Sequence, residues 1–151
     1  MSDAMAGSSM GGASMGGASV SGAEPSVEDL VRVAARAAED KLGKDTVVID
    51  VGNVLAITEF FVITSASNDR QVKAVVDEVQ HKLRDAGAGR PLRVEGLEDA
   101  SWVLLDYGAF VVHVFLDETR QFYELERLWR DMPRLTWEPS PRPSVPADSA
   151  L

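Results

Sequence analysis

Trp102-Val-Leu-Leu-Asp-Tyr-Gly-Ala-Phe-Val-Val-His-Val-Phe115 decides the fold. Trp102 to Asp106 and Phe110 to Phe115 are two runs of apolar and β-branched residues, a composition that fits a pleated, buried surface. The turn at Tyr107-Gly108 between them is so short that the two strands must pair antiparallel. Upstream, Leu92 to Val94 reads as a further short strand, joined to Trp102 by the acidic loop Glu95-Gly-Leu-Glu-Asp-Ala-Ser101. Before that come Thr46 to Val51, closing at Gly52-Asn53 with Val54 to Ile57 behind it, and Phe60 to Ser65, which together read as a hairpin-linked pair of strands.

Helical spacing fills the gaps between the strands. Pro25-Ser26-Val27-Glu28-Asp29 opens a helix, with Ser26 as N-cap, Asp29 three residues on, and acids at the positive end of the dipole. Val27, Leu30, Val31, Ala34 and Ala38 form its apolar face, and Gly43 stops it. A second helix is capped by Asn68 with Gln71 three residues later; Val72, Val75, Val76, Val79 and Leu83 line one side until Gly87, Gly89 and Pro91 end it. A last helix follows Asp117, with Phe122, Leu125, Leu128, Trp129 and Met132 as a continuous stripe. The order αββαβββα, with a helix between strands two and three, predicts an α/β or α+β fold: a mixed sheet of about five strands with flanking helices.

The 151 residues suit one domain of ordinary size. Residues 1–24 are a Gly, Ser, Ala and Met low-complexity stretch holding the near-repeat MGGAS, expected to be a disordered leader or tag. Residues 138–151, with Pro139, Pro141, Pro143 and Pro146, are expected to be a disordered Pro-rich tail. The folded unit is therefore expected over 25–137. No apolar run approaches the roughly 20 residues of a membrane span, and the first residues lack the basic and apolar regions of a secretory signal, so the expected location is cytoplasmic. With no cysteine, disulfide frameworks, thiolate catalysis and Cys-based metal sites are excluded.

Catalytic patterns are missing too. No GxGxxG, GxxxxGK[ST], HExxH or GxSxG occurs. His81 lies on the polar side of the second helix. His113, within a strand and with no nucleophile or carboxylate placed for it, reads as a hydrogen-bonded structural histidine. Paired metal-binding acids need two carboxylates two residues apart on one strand. Asp50 is followed by Gly52 and Asp106 by Gly108, so neither strand supplies the second acid. No catalytic, metal or cofactor site is expected. What packing leaves unexplained is Arg70, Trp102, Asp106 and Tyr107 around the strand ends, which together have the composition of a protein–protein contact patch. The segment Phe122-Tyr123-Glu124-Leu125 through Leu128-Trp129 is better explained by core packing.

Thr58-Glu-Phe-Phe-Val-Ile-Thr-Ser-Ala-Ser-Asn-Asp-Arg-Gln-Val72, Val94-Glu-Gly96, Trp102-Val-Leu-Leu-Asp-Tyr-Gly108, Val111-Val-His-Val-Phe115 and Arg120-Gln-Phe-Tyr-Glu-Leu-Glu-Arg-Leu-Trp129 resemble the Iojap-like ribosomal silencing factors, over about residues 27–132. The resemblance implies a small α/β fold similar to nucleotidyltransferases but without their catalytic acids. It also implies binding to large-subunit ribosomal protein fourteen on the intersubunit face, which blocks joining of the small and large subunits and represses translation when nutrients are scarce. Carried over position by position, it places the family's Trp and the Asp closing the same strand at Trp102 and Asp106, the next residue at Tyr107, and a Ser-x-x-Arg element at Ser67 and Arg70. Glu98, Asp99 and Asp106 are then expected to face basic groups of the partner. The family's Asp after the turn glycine is Ala109 here, so the contact must lean on neighbours such as Asp106, or gain apolar area from Phe110, unless that Asp serves only to shape the turn.

The chain carries 24 acidic against 15 basic residues. Between Ser26 and Trp137 the count is 20 against 14, so a net −6 of the total −9 lies in the folded unit. Such a balance argues against direct specific nucleic-acid binding, whose affinity rests on Lys and Arg meeting phosphates. It suits steering toward a basic protein. Two other readings stay open on the residues alone: a nucleotide-using transferase with an unrecognised site, and self-association as a homodimer through an exposed sheet edge beside Trp102 and Tyr107.

Overall fold

A computed structural model describes residues 25–138. The expected leader 1–24 and, apart from Glu138, the expected tail lie outside the described residues. Helix α1 spans Val27–Asp40, strand β1 Lys44–Asp50, β2 Phe60–Ala66, helix α2 Asp69–Asp85, β3 Arg93–Glu95, β4 Trp102–Asp106 and β5 Phe110–Leu116. Two short helices follow, α3 at Asp117–Tyr123 and α4 at Leu125–Leu128. The five strands form one sheet in the order β1-β2-β5-β4-β3. β2 and β5 run parallel, and every other neighbouring pair is antiparallel. The mixed α+β fold is the one expected.

Capping sets both long helices. Ser26 Oγ accepts the Asp29 N–H at 3.0 Å while Asp29 accepts the Ser26 N–H, closing a capping box. Asn68 Oδ1 accepts the Gln71 N–H at 2.9 Å, and Gln71 reaches back to the Ser67 N–H. The five expected apolar positions of α2 are all buried. α1 is buried more broadly than its predicted stripe, adding Ala35 and Ala37, because it packs against both α2 and the sheet. Gly43, which ends it, has no room for a side chain: a Cβ there would lie 2.5 Å from Thr64 Oγ1.

Alternation sorts the strands onto two faces. Val48, Phe60, Val62, Val103, Leu105, Phe110, Val112 and Val114 join the core beneath α1 and α2. Ile49, Val51, Ile63 and Phe115 belong to a smaller cluster on the opposite face, with Phe61, Trp102, Trp129 and Met132 packed against it. β5, central and covered on both sides, is buried from Phe110 through Phe115, which is why its sequence reads as one continuous apolar run.

Four expectations need correction. The link between β1 and β2 is a loop of residues 51–59, with Val54 and Ile57 exposed instead of extending a strand. The last helix is broken at Glu124, which adopts a left-handed conformation at φ 49°, ψ 48°. Its aromatic stripe is therefore not continuous: Trp129 and Met132 pack on the sheet, Phe122 is 78% exposed, and the Leu125 and Leu128 side chains lie outside what is described. The third strand is shifted to Arg93–Glu95 and is exposed along its length. Finally, Trp102 and Tyr107 do not flank a free sheet edge, since β4 is interior and hydrogen-bonded on both sides. The outer edges are β1 and β3. β1 is partly covered by the chain's return, where the Asp50 N–H donates to the Pro133 carbonyl, the Leu135 N–H to the Val48 carbonyl and the Trp137 indole to the Thr46 carbonyl.

Candidate functional site

The face of the sheet away from α1 and α2 carries the unexplained residues. Along β4, Trp102, Leu104 and Asp106 project to it, as do Val111, His113 and Phe115 of β5. Trp102 is half-buried: its ring lies 4.8 Å from Phe115, and its indole N–H donates to His113 Nδ1 at 3.1 Å. From the outside it is met by Tyr123 at 5.5 Å, on the last turn of α3. Tyr123 is 50% exposed and stands edge-on to the exposed Phe122. Three aromatic rings thus form a surface that is apolar and open, the composition of an interface anchor. Behind it Phe61, Ile63, Trp102, His113 and Trp129 enclose a cleft of about 240 Å³.

At the other end of β4, Asp106 is held from two sides. One carboxylate oxygen accepts the Gly108 N–H at 2.8 Å, shaping the turn, and the other accepts from Arg93 at 3.2 Å. Arg93 also pairs with Glu95 at 3.0 Å, so the strip along β3 and β4 alternates charge. Burial pushes the His113 imidazole down to about 4, leaving it neutral. Tyr107 is pushed up to about 12 by burial, against a smaller opposing effect of Arg84. Among the described residues, no three His, Asp or Glu side chains gather where they could hold a metal ion.

The predicted contact residues fall into two groups. Arg70, exposed in the first turn of α2, and Glu98 and Asp99, exposed in the β3–β4 loop, lie at the end of the sheet that Trp102 occupies. Asp99 accepts from the Ser101 hydroxyl at 2.7 Å. Asp106, Tyr107 and Phe110 lie at the opposite end, roughly 13 Å away along a five-residue strand. Tyr107 and Phe110 also point to the helix-bearing side, where they stack on each other at 4.9 Å and pack on the main core. Phe110 is 2% exposed and has no apolar area to offer a partner, which corrects its expected place in the contact. The Trp, Asp and Tyr that sequence proximity grouped as one patch are divided between two faces.

Sequence reasoning missed Tyr123. Phe122 and Tyr123 were assigned to core packing, yet adjacent helical residues diverge by about 100° and cannot both face one core. With Trp129 serving the core from beyond the break at Glu124, the pair is left outside.

Comparison with known proteins bears on the family and the fold. The family described as "Ribosomal silencing factor during starvation" matches residues 24–150. The chain is 34% identical over 106 residues to the ribosomal silencing factor RsfS of Bacillus subtilis, covering 70% of this chain and 89% of that protein. It is 34% identical to "Mitochondrial assembly of ribosomal large subunit protein 1" of Mus musculus, over 57% of this chain and 39% of that protein. A crystal structure from Chromobacterium violaceum superposes with a TM-score of 0.66 at 35% identity, covering 70% of this chain and 88% of that one. An Iojap-like sequence pattern, a fold that superposes on a solved structure at 35% identity and a family match across all of the described residues lead to one conclusion: the chain belongs to the family of ribosomal silencing factors during starvation, RsfS.

Proposed function

We propose that this protein is a non-enzymatic repressor of translation that binds the large ribosomal subunit through ribosomal protein fourteen on its intersubunit face. Seated there, it keeps the small subunit from joining, and it acts when nutrients are limiting. The observation that carries this reading is the open aromatic surface of Trp102, Tyr123 and Phe122 on the side of the sheet away from α1 and α2, at the end of the sheet where the exposed Glu98 and Asp99 also lie. Aromatic anchors with a polar rim are what a protein interface requires. A ribosomal role is supported by the family's description, and the large subunit by the name of the mouse relative.

Ala109, where the family carries an acid, leaves the turn intact. Asp106 holds the Gly108 N–H, the Ala109 N–H donates to the Tyr107 carbonyl, and the Ala109 carbonyl accepts from Glu59. The missing acid is thus not needed for the turn, and since Phe110 is buried the acidic part of the contact rests on Asp106, Glu98 and Asp99.

Co-sedimentation tests the reading. The protein should travel with free large subunits and not with joined ribosomes. Tyr123→Ala, on an exposed ring, should weaken that association by at least about tenfold, the cost of one aromatic anchor. Trp102→Ala should weaken it further. Both variants co-sedimenting like the parent would remove this surface from the contact.

A further inference from the structure

An indole has one polar atom, its Nε1–H, so a single hydrogen bond decides which way its edge points. In Trp102 that bond goes to His113 Nδ1, at 3.1 Å. The sheet register makes the pair. Trp102 lies opposite Phe115 and Leu104 opposite His113, so Trp102 and His113 are diagonal neighbours on one face of β4 and β5. Around them the cleft is lined by Phe61, Ile63 and Trp129, side chains that accept no hydrogen bond. The imidazole is the one acceptor among the lining residues. Held by it, the indole packs on Phe115 at 4.8 Å and meets Tyr123 at 5.5 Å, so its orientation sets where the Tyr123 ring rests.

Histidine is a costly way to fill this position. Accepting at Nδ1 leaves the proton of the neutral ring on Nε2, which is buried with no partner among the described residues. A buried donor of that kind weighs against the fold. From Phe110 to Phe115 every other residue of β5 is apolar and buried, and the 240 Å³ cleft beside the imidazole leaves room for the extra atom of a phenyl ring. Stability alone does not call for histidine here; orienting Trp102 does. At 7% exposure His113 lies too deep to meet a partner itself.

We propose that His113 is a positioning residue for the ribosomal contact: by accepting the Trp102 indole N–H it holds the indole in the orientation on which Tyr123 packs and in which the aromatic surface is presented. This role rests on the reading of that surface as the ribosomal contact. It acts through Trp102 alone.

Binding and stability should therefore separate. Co-sedimentation over a range of large-subunit concentrations is compared with the urea midpoint at about pH 7.5, where the ring is neutral, for the full chain and two variants. His113→Phe keeps a ring and removes the acceptor. It should bind large subunits about three- to tenfold more weakly, the size of one orienting hydrogen bond, while its midpoint equals or exceeds the parent's. His113→Asn keeps an acceptor, since Oδ1 is bonded to Cγ as Nδ1 is, and loses ring packing; it should bind like the parent at a lower midpoint. A residue that only packs would move both quantities together. NMR reports the orientation directly: the Trp102 indole N–H should exchange with water faster in His113→Phe than in the parent. Should His113→Asn fail to fold, the opposite movement of binding and stability in His113→Phe decides alone. His113→Phe binding like the parent, or losing binding and stability together, would overturn the positioning role, as would an indole N–H that exchanges alike in both. Trp102→Ala co-sedimenting like the parent is a different failure: it takes the aromatic surface out of the contact, and the positioning role falls with the reading it rests on.

Discussion

His113 meets different surroundings at its two nitrogens, one satisfied by Trp102 and one without a partner among the described residues, inside a burial that keeps the ring neutral. The unfolded chain takes up a proton at this position below its ordinary value of 6.5, while the folded chain resists until about 4. Stability from this residue is therefore complete above pH 6.5 and drains away as pH falls through that window, by on the order of 3 kcal/mol for a shift of this size. Urea midpoints measured from pH 7 to pH 4 should fall more steeply for the parent than for His113→Phe; parallel curves would refute the assignment. The same residues show how far sequence carried the site. Trp102 and Asp106 stood out because a bulky aromatic and an acid closing a strand need an explanation. Phe110 was misplaced although strand parity already spoke against it: Phe110 shares its parity with Val112 and Val114, which face the helices, and not with His113. Tyr123 could not be found that way, because its exposure depends on where the last helix breaks.

Beside that break lies another buried polar residue, Arg120. Its guanidinium donates to the Lys44 and Asp45 carbonyls at 3.2 and 2.8 Å, to the Ser65 hydroxyl at 3.2 Å, and pairs with Glu126 from α4. One side chain thereby fastens α3 and α4 to the start of β1 and the end of β2. Its sequence context, Asp117-Glu-Thr-Arg-Gln-Phe-Tyr123, reads as an ordinary charged helix start, and only the three-dimensional approach of β1 reveals the arginine as an internal tie. Arg120→Ala should lower stability by about 2–3 kcal/mol, since it removes a buried donor from the Lys44 and Asp45 carbonyls and the Ser65 hydroxyl and leaves Glu126 without its partner. It should also loosen Tyr123 from Trp102. Chemical denaturation together with the near-ultraviolet signal of the tryptophans checks both effects. A variant as stable as its parent would mean that apolar packing alone seats α3. By contrast, α1 and α2 were legible almost residue by residue, because caps and apolar spacing are local and need no knowledge of the sheet.

Across the whole molecule, charge and chain path act over longer distances than any single contact. The net −6 between Ser26 and Trp137 belongs to the folded unit. On the proposed function, that excess speeds the approach to a basic ribosomal protein, and the association rate should fall several-fold as salt rises from about 50 to 200 mM. Stopped-flow mixing with large subunits measures this directly, and a rate indifferent to salt would take steering away from the charge. The sheet order itself was not readable from the sequence. Pairing β2 with β5 in parallel joins positions about fifty residues apart, and nothing local announces it.

The return of residues 133–137 along β1 also has a consequence in time. Thr46, Val48 and Asp50 emerge during synthesis long before the Trp137, Leu135 and Pro133 backbone and indole groups that cover them. At some 5–20 residues per second, β1 spends several seconds as an uncovered strand on the growing chain. For that interval it is a nascent edge able to pair with whatever extended polypeptide is near. The last five residues of the fold therefore act as the closing step of its biogenesis, and a chain cut short before Pro133 would keep that edge open for its lifetime.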